Sequence, residues 1–194
     1  MSRRTKITSW VLLTIVVGFY SCKENPPPQT KTAAKEVQQQ DQEPEPPVVG
    51  RITFMEKNVF RYLSDAKDWA LAMVDVPVSD GDILYSDVQG RSELTFPNDT
   101  KVRLNDKTKV QLDGLKGNST ALFVNSGIAR IQNDSADSVV KVDTPYGQVV
   151  SKQPGAFDVY VGDSSVAVTA FKGPLQFVGG NPPARPDALK QQAA

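Results

Sequence analysis

The sequence predicts an all-β fold of short antiparallel strands, a sandwich, a barrel or a solenoid-like stack, flanked by segments without regular structure. Three observations carry this. Between Val49 and about Gly180 apolar and polar residues alternate with period two. Turn signals, from Asp80-Gly81 to Gly173-Pro174, recur mostly every eight to twelve residues. No amphipathic helix of useful length is present, a turn around Asp65 to Ala70 being the one candidate.

The first element is an export signal. Met1-Ser2-Arg3-Arg4-Thr5-Lys6 carries three positive charges and no negative one, followed by an apolar run from Trp10 to Tyr20 and then Ser21-Cys22. A charged start, a short apolar middle and a small residue at the cut make residues 1–21 a secretory signal peptide, cleaved after Ser21. A spanning helix would need about 20 apolar residues to cross roughly 30 Å of hydrocarbon. This run has eleven.

Phe19-Tyr20-Ser21-Cys22 resembles a bacterial lipobox, with Phe19 in place of the usual leucine and Tyr20 bulkier than the usual alanine or serine. That resemblance implies a lipid (palmitate-type acyl chains) on the Cys22 thiol. Several acyl chains, at about 0.8 kcal/mol per buried methylene, hold a protein durably to a membrane. Lys23, where some bacterial lipoproteins carry an inner-membrane retention aspartate, points to the outer membrane, with the domain on its periplasmic or surface face. Cleavage would leave 19 basic against 22 acidic groups, so the membrane contact is expected from the lipid rather than from charge.

Residues 22–48 then read as a lipidated tether. They hold six prolines and the tract Gln38-Gln39-Gln40 but almost no large apolar residue, so burial cannot offset their ordering entropy. Such a segment spans roughly 30 Å as a coil and on the order of 80 Å if polyproline-like.

Residues 49–180 form the β domain. Leu94 and Phe96 share a face against Glu93 and Thr95; Val102 and Leu104 oppose Lys101 and Arg103; Val110 and Leu112 oppose Lys109 and Gln111. Val140 and Val142 flank Lys141, Phe157, Val159 and Val161 flank Asp158 and Tyr160, and Val166 and Val168 point together. Each strand thus has one dry and one wet face. The stretch Thr100–Asp106 is echoed eight residues later by Thr108–Gly114, which predicts a hairpin with a polar turn. Residues 181–194, with Pro182, Pro183 and Pro186 and no periodic pattern, read as a disordered tail.

Composition excludes familiar chemistries. With no histidine and one cysteine, the chain has no Ser-His-Asp or Cys-His catalysis, no imidazole metal site, no internal disulfide and no thiolate zinc site. A formal net charge of zero gives no basic field for nucleic acid. The remaining motifs have plain readings. Ser64-Asp65-Ala66-Lys67 matches the Ser-x-x-Lys of penicillin-binding enzymes, but its partner motifs are absent and a solvated loop is expected. Asp75, Asp80, Asp82 and Asp87 lack the twelve-residue calcium-loop pattern and read as turn caps. Asn98-Asp99-Thr100 and Asn118-Ser119-Thr120 fit a glycosylation pattern that a bacterial lipoprotein would leave bare. Trp69 and Tyr62 suit either a sugar-stacking platform or, as preferred here, plain packing.

Val78-Ser79-Asp80-Gly81-Asp82-Ile83-Leu84, then Gly90 to Phe96, then Asn98-Asp99-Thr100 and the strand through Leu104 resemble the FecR-like domain. The likeness continues through Leu122 to Gly127, Val142-Asp143-Thr144-Pro145, Gly155-Ala156-Phe157-Asp158-Val159 and Val166 to Gly173, covering roughly residues 49–178. It departs at Asp99, where the family usually has glycine, and at Pro154. The resemblance implies an antiparallel sandwich with solenoid-like stacking of short strands; the residues themselves agree, with Gly81 and Gly90 expected to supply the positive φ of tight turns and Leu94, Phe96 and Phe157 expected in the core. Founding members of the family carry an envelope signal to a cytoplasmic sigma factor through a spanning helix. About nine polar residues precede the apolar run here, so the chain is expected to keep the envelope-side module without the sigma-regulator part.

The expectation is therefore a lipid-anchored, non-catalytic envelope module that binds or senses an envelope protein or glycan through a sheet edge or loop face, with no cofactor, no metal and no nucleic acid. A cell-wall or polysaccharide anchor module is the alternative binding class. A carboxylate-based glycosidase, which needs no histidine, is the enzyme alternative.

Overall fold

The computed structural model describes residues 48–63 and 66–180, and every helix or strand among them is a β-strand. Residues 1–21 with Ser21, read as a signal peptide, residues 22–47 with Cys22, read as tether, Ser64 and Asp65, and residues 181–194, read as a tail, lie outside the described residues.

Alternating side chains fold the domain into two sheets around one core. The first sheet runs, in spatial order, β4 (Pro77–Val78), β1 (Gly50–Glu56), β6 (Arg91–Thr95), β7 (Thr100–Leu104), the second half of β9 (Ser119–Asn133), β12 (Gly155–Val161) and β13 (Val166–Lys172). The second runs β3 (Asp68–Leu71), β2 (Val59–Leu63), β5 (Ile83–Ser86), β8 (Thr108–Lys116), the first half of β9, β10 (Val139–Thr144), β11 (Gly147–Ser151) and β14 (Gln176–Gly179). Ile52, Leu94, Val102, Ile131 and Phe157 from the first meet Leu84, Val110, Leu112, Leu122 and Val140 from the second in a continuous buried cluster. Leu94, Phe96 and Phe157 are core residues, as their spacing requires. Phe157 is fully buried, and truncating such a side chain to alanine costs about 3–5 kcal/mol.

Pairing is antiparallel throughout except between β9 and β10, which run parallel with Val140 opposite Thr120 and Val142 opposite Leu122. A parallel pair needs a crossover, and here the second half of β9 supplies it by passing through the other sheet. The chain winds as one coil of a solenoid at this place. Its return corner is closed by buried polar groups: the Asn98 amide donates to Thr120 Oγ1 at 2.9 Å, Ser138 Oγ to the Asn98 carbonyl at 2.9 Å, and the Asn133 amide to the Ser138 carbonyl at 3.2 Å.

Three expectations are corrected. The repeated stretches do not form a hairpin: β7 pairs with β6 and β9 in the first sheet, while β8 pairs with β5 and β9 in the second. The two copies bind the two halves of one long strand, so their likeness reflects equivalent places in two layers. Of the candidate turn at Asp65 to Ala70, Asp65 lies outside the described residues, Ala66 and Lys67 do turn, and Asp68–Leu71 is β3 rather than helix, drawn into a hairpin by Tyr62 opposite Trp69 and Phe60 opposite Leu71. Of the two turn glycines, Gly81 has φ +86, but at the other turn the positive φ falls on Gln89. Gly90 is needed for space, because a Cβ there would overlap the backbone of Asn58 and Asp87.

Candidate functional site

On the outer face of the first sheet one row of side chains crosses five strands. Phe54 lies opposite Glu93, Glu93 opposite Arg103, Arg103 opposite Arg130, and Arg130 opposite Asp158. Two guanidiniums therefore face each other across β7 and β9, a placement that costs free energy unless it is compensated. Each arginine turns outward to the carboxylate on its other side. Arg103 Nε donates to Glu93 Oε2 at 2.6 Å; Arg130 grips Asp158 with two bonds, Nε to Oδ1 at 2.7 Å and Nη2 to Oδ2 at 2.8 Å. The bonds from Asp158 push the Arg130 guanidinium further above its already high pKa. Exposed ion pairs of this kind contribute roughly 0–1 kcal/mol, so stability does not explain four charges in one row.

Both ends of the row carry an exposed ring, and both ends are bulged. In β1 the register slips at Thr53, between Ile52 and Phe54. Strict alternation would put Phe54 beside buried Ile52; the extra residue turns it outward, where it is 50% exposed. In β13 the slip falls at Phe171, opposite the step from Ala156 to Phe157. Phe171 is 57% exposed, and the Arg130 guanidinium carbon lies 4.9 Å from its ring centre. Tyr160, also exposed, stands two residues along β12 from Asp158.

Between these side chains runs a groove of about 380 Å³, lined by Phe54, Arg103, Arg130 and Asp158 among others. Its volume falls in the range of small-ligand sites. A second hollow of about 330 Å³, lined by Glu56, Lys57, Gln89, Arg91 and Asp106, shares Arg91 with it.

The outer face of the second sheet is built differently. Trp69 meets Tyr62 and Tyr85 edge to face, with ring centres 5.5 Å and 6.4 Å apart, and the Lys109 ammonium lies 5.4 Å from the Trp69 ring centre and 5.6 Å from that of Tyr85. Ile83 and Phe123 are buried against Tyr62 and Trp69. Burial pushes the Lys109 pKa down, and burial with the nearby Asp87 charge pushes that of Tyr85 up. The structure does bring Tyr62 and Trp69 together, as a packed cluster whose rings are engaged by one another and by Lys109.

The other residues singled out from the sequence fall into local roles. Asp82 accepts two bonds from Arg61 and one from the Ser79 amide, and Asp80 accepts from the Leu115 amide, so both act as caps. Among the described residues no three carboxylates converge on a metal position. Asn98 is buried with its amide bonded to Thr120, which removes it as a glycosylation acceptor. Sequence reading missed Phe54, because a bulge breaks the period there. Glu93, Arg103 and Asp158 were assigned to wet faces, but only the register shows that they form one row.

Among curated proteins no relative matches the chain. The family model described as FecR protein matches residues 82–176, from the residue before β5 to the first residue of β14. With the all-β sandwich and the residue pattern in agreement, the chain carries a FecR-like domain.

Proposed function

We propose that the protein is an envelope lipoprotein held to a membrane through Cys22, the outer membrane on the reading of Lys23, and that its FecR-like domain is a non-catalytic binding and sensing module. The reading of the N-terminus rests on the charged start, the eleven-residue apolar run and the cysteine behind it. The binding role rests on the family match and, above all, on one observation: opposed Arg103 and Arg130 in a groove with an exposed ring at each end of their row. Arginine and aromatic side chains dominate contact surfaces, because they offer large area and directed donors.

The glycosidase alternative finds little support in this groove. Glu93 and Asp158 stand three strands apart, roughly 14 Å at about 4.8 Å per strand spacing, whereas paired catalytic carboxylates lie about 5–9.5 Å apart. Each is also bonded to a guanidinium rather than turned toward the other.

The test is capture of envelope components by the full chain, compared with Arg103→Glu and Arg130→Glu. Charge reversal on the groove should abolish capture, and Lys141→Glu on the second sheet should leave it intact. Equal capture by all three variants would refute the assignment of the surface.

A further inference from the structure

The geometry points to an acidic polysaccharide, a sugar chain bearing uronic-acid carboxylates, as the ligand of the groove; this rests on the reading of the first sheet's outer face as the binding surface. Arg103 bonds Glu93 through Nε alone, and Arg130 bonds Asp158 through Nε and Nη2. That leaves both Nη groups of Arg103 and Nη1 of Arg130 without a protein acceptor among the described residues. These donors belong to two cations lying directly opposite each other. A carboxylate seated between them would relieve their repulsion and accept charge-assisted hydrogen bonds. Arg91, at the margin of the groove, pairs with Glu56 at 3.7 Å, so the attraction for an anion rests on the unbonded donors of Arg103 and Arg130.

The rest of the groove suits sugar rings. Phe54 presents an exposed apolar face in the groove, matching the C–H faces of pyranoses, with Phe171 beside its far end stacked on Arg130, while Glu93, Asn105 and Asp158 offer planar polar groups to hydroxyls. The row runs across the strands, from β1 to β12, four spacings or roughly 19 Å, which suits several linked sugars rather than one. An acidic peptide recognised through its main chain would need a sheet edge. Across β6, β7, β9 and β12 the groove's backbone is paired on both sides, whereas β1 from Phe54 to Glu56 pairs with β6 alone, so a peptide strand added at that edge is the rival that the polyglutamate gel tests.

The experiment is affinity electrophoresis of the full chain through gels containing polygalacturonate, neutral dextran or polyglutamate. Retardation by polygalacturonate alone is expected, weakened by about tenfold to a hundredfold in Arg103→Gln and in Phe54→Ala, and unchanged in Lys141→Gln. Equal retardation by polyglutamate, or retention of binding in both groove variants, would reduce the effect to general charge and overturn the inference. No retardation by polygalacturonate would also overturn it. In that case, envelope capture still dependent on Arg103 and Arg130 would show that the ligand class is wrong and the surface right; loss of that dependence as well would remove both.

Discussion

Thr108 and Gly127 lie against each other at the place where β9 leaves one sheet and enters the other. Gly127 has φ +87, and a Cβ there would overlap the Thr108 hydroxyl and Cα. The Thr108 hydroxyl accepts from the Ile128 amide at 2.9 Å and donates to the Ile128 carbonyl at 3.1 Å. One threonine thus holds the backbone beside the bend, and one glycine makes room for it. Through this joint the strand that carries Arg130 is fixed to both layers of the sandwich.

Gly127→Ala should therefore destabilise the fold by about 2–4 kcal/mol, from left-handed strain plus overlap with Thr108. Thr108→Val keeps the shape and removes both bonds, for about 1–3 kcal/mol. Urea denaturation of the full chain measures both, and wild-type stability in Gly127→Ala would contradict the joint.

Asp99, in the turn between β6 and β7, has φ +58. The turn between β6 and β7 requires the left-handed region, which aspartate tolerates better than most residues. Asp99→Ala should cost about 1 kcal/mol, and Asp99→Gly should be neutral or slightly stabilising. The two thermal midpoints, compared with wild type, check the order.

Lys109 is 6% exposed, and burial lowers its pKa below the ordinary 10.5. For a base depressed by folding, the folded state is penalised while the amine is charged, and the penalty is relieved as pH rises through the folded value toward 10.5. Tyr85 acts in the opposite sense, because its raised pKa makes the fold lose stability once pH passes the ordinary 10.0. Urea midpoints should thus rise on the alkaline side as pH approaches 10, and Lys109→Met should remove the rise. Trp69 emission should follow the same titration, since the amine lies over its ring. A flat profile in wild type would contradict the burial argument.

The proposed export and lipidation would converge on one atom, the Cys22 thiol. In bacterial cells expressing the full chain, an alkyne-tagged fatty acid should label wild type and leave Cys22→Ala unlabelled. Labelled Cys22→Ala, or unlabelled wild type, would contradict attachment at this residue.

Much of the fold was legible because period two is dictated by the pleat. The inward positions Leu94, Val102, Leu112, Val142, Phe157 and Val159 are all buried. What alternation does not encode is which layer a strand joins. The copies at Thr100–Asp106 and Thr108–Gly114 look like a hairpin locally, and only the long-range pairing of each with a different half of β9 separates them. Gly127 reads as a turn for the same reason: its positive φ is a local signal, whereas continuation of the strand through it depends on Thr108 and on β12 opposite. The groove was hidden for a further reason. Phe54 faces outward only through a bulge, and the row from Glu93 to Asp158 joins residues far apart in the chain.

The central claim is that the outer face of the first sheet meets the envelope partner. Photoreactive side chains placed one at a time at Phe54 and Tyr160 on that face, and at Leu71 and Lys141 on the second sheet, test it most directly in intact cells. Adducts should form from Phe54 and Tyr160 and be lost with Arg103→Glu, while Leu71 and Lys141 give none. Adducts confined to Leu71 and Lys141 would contradict the account.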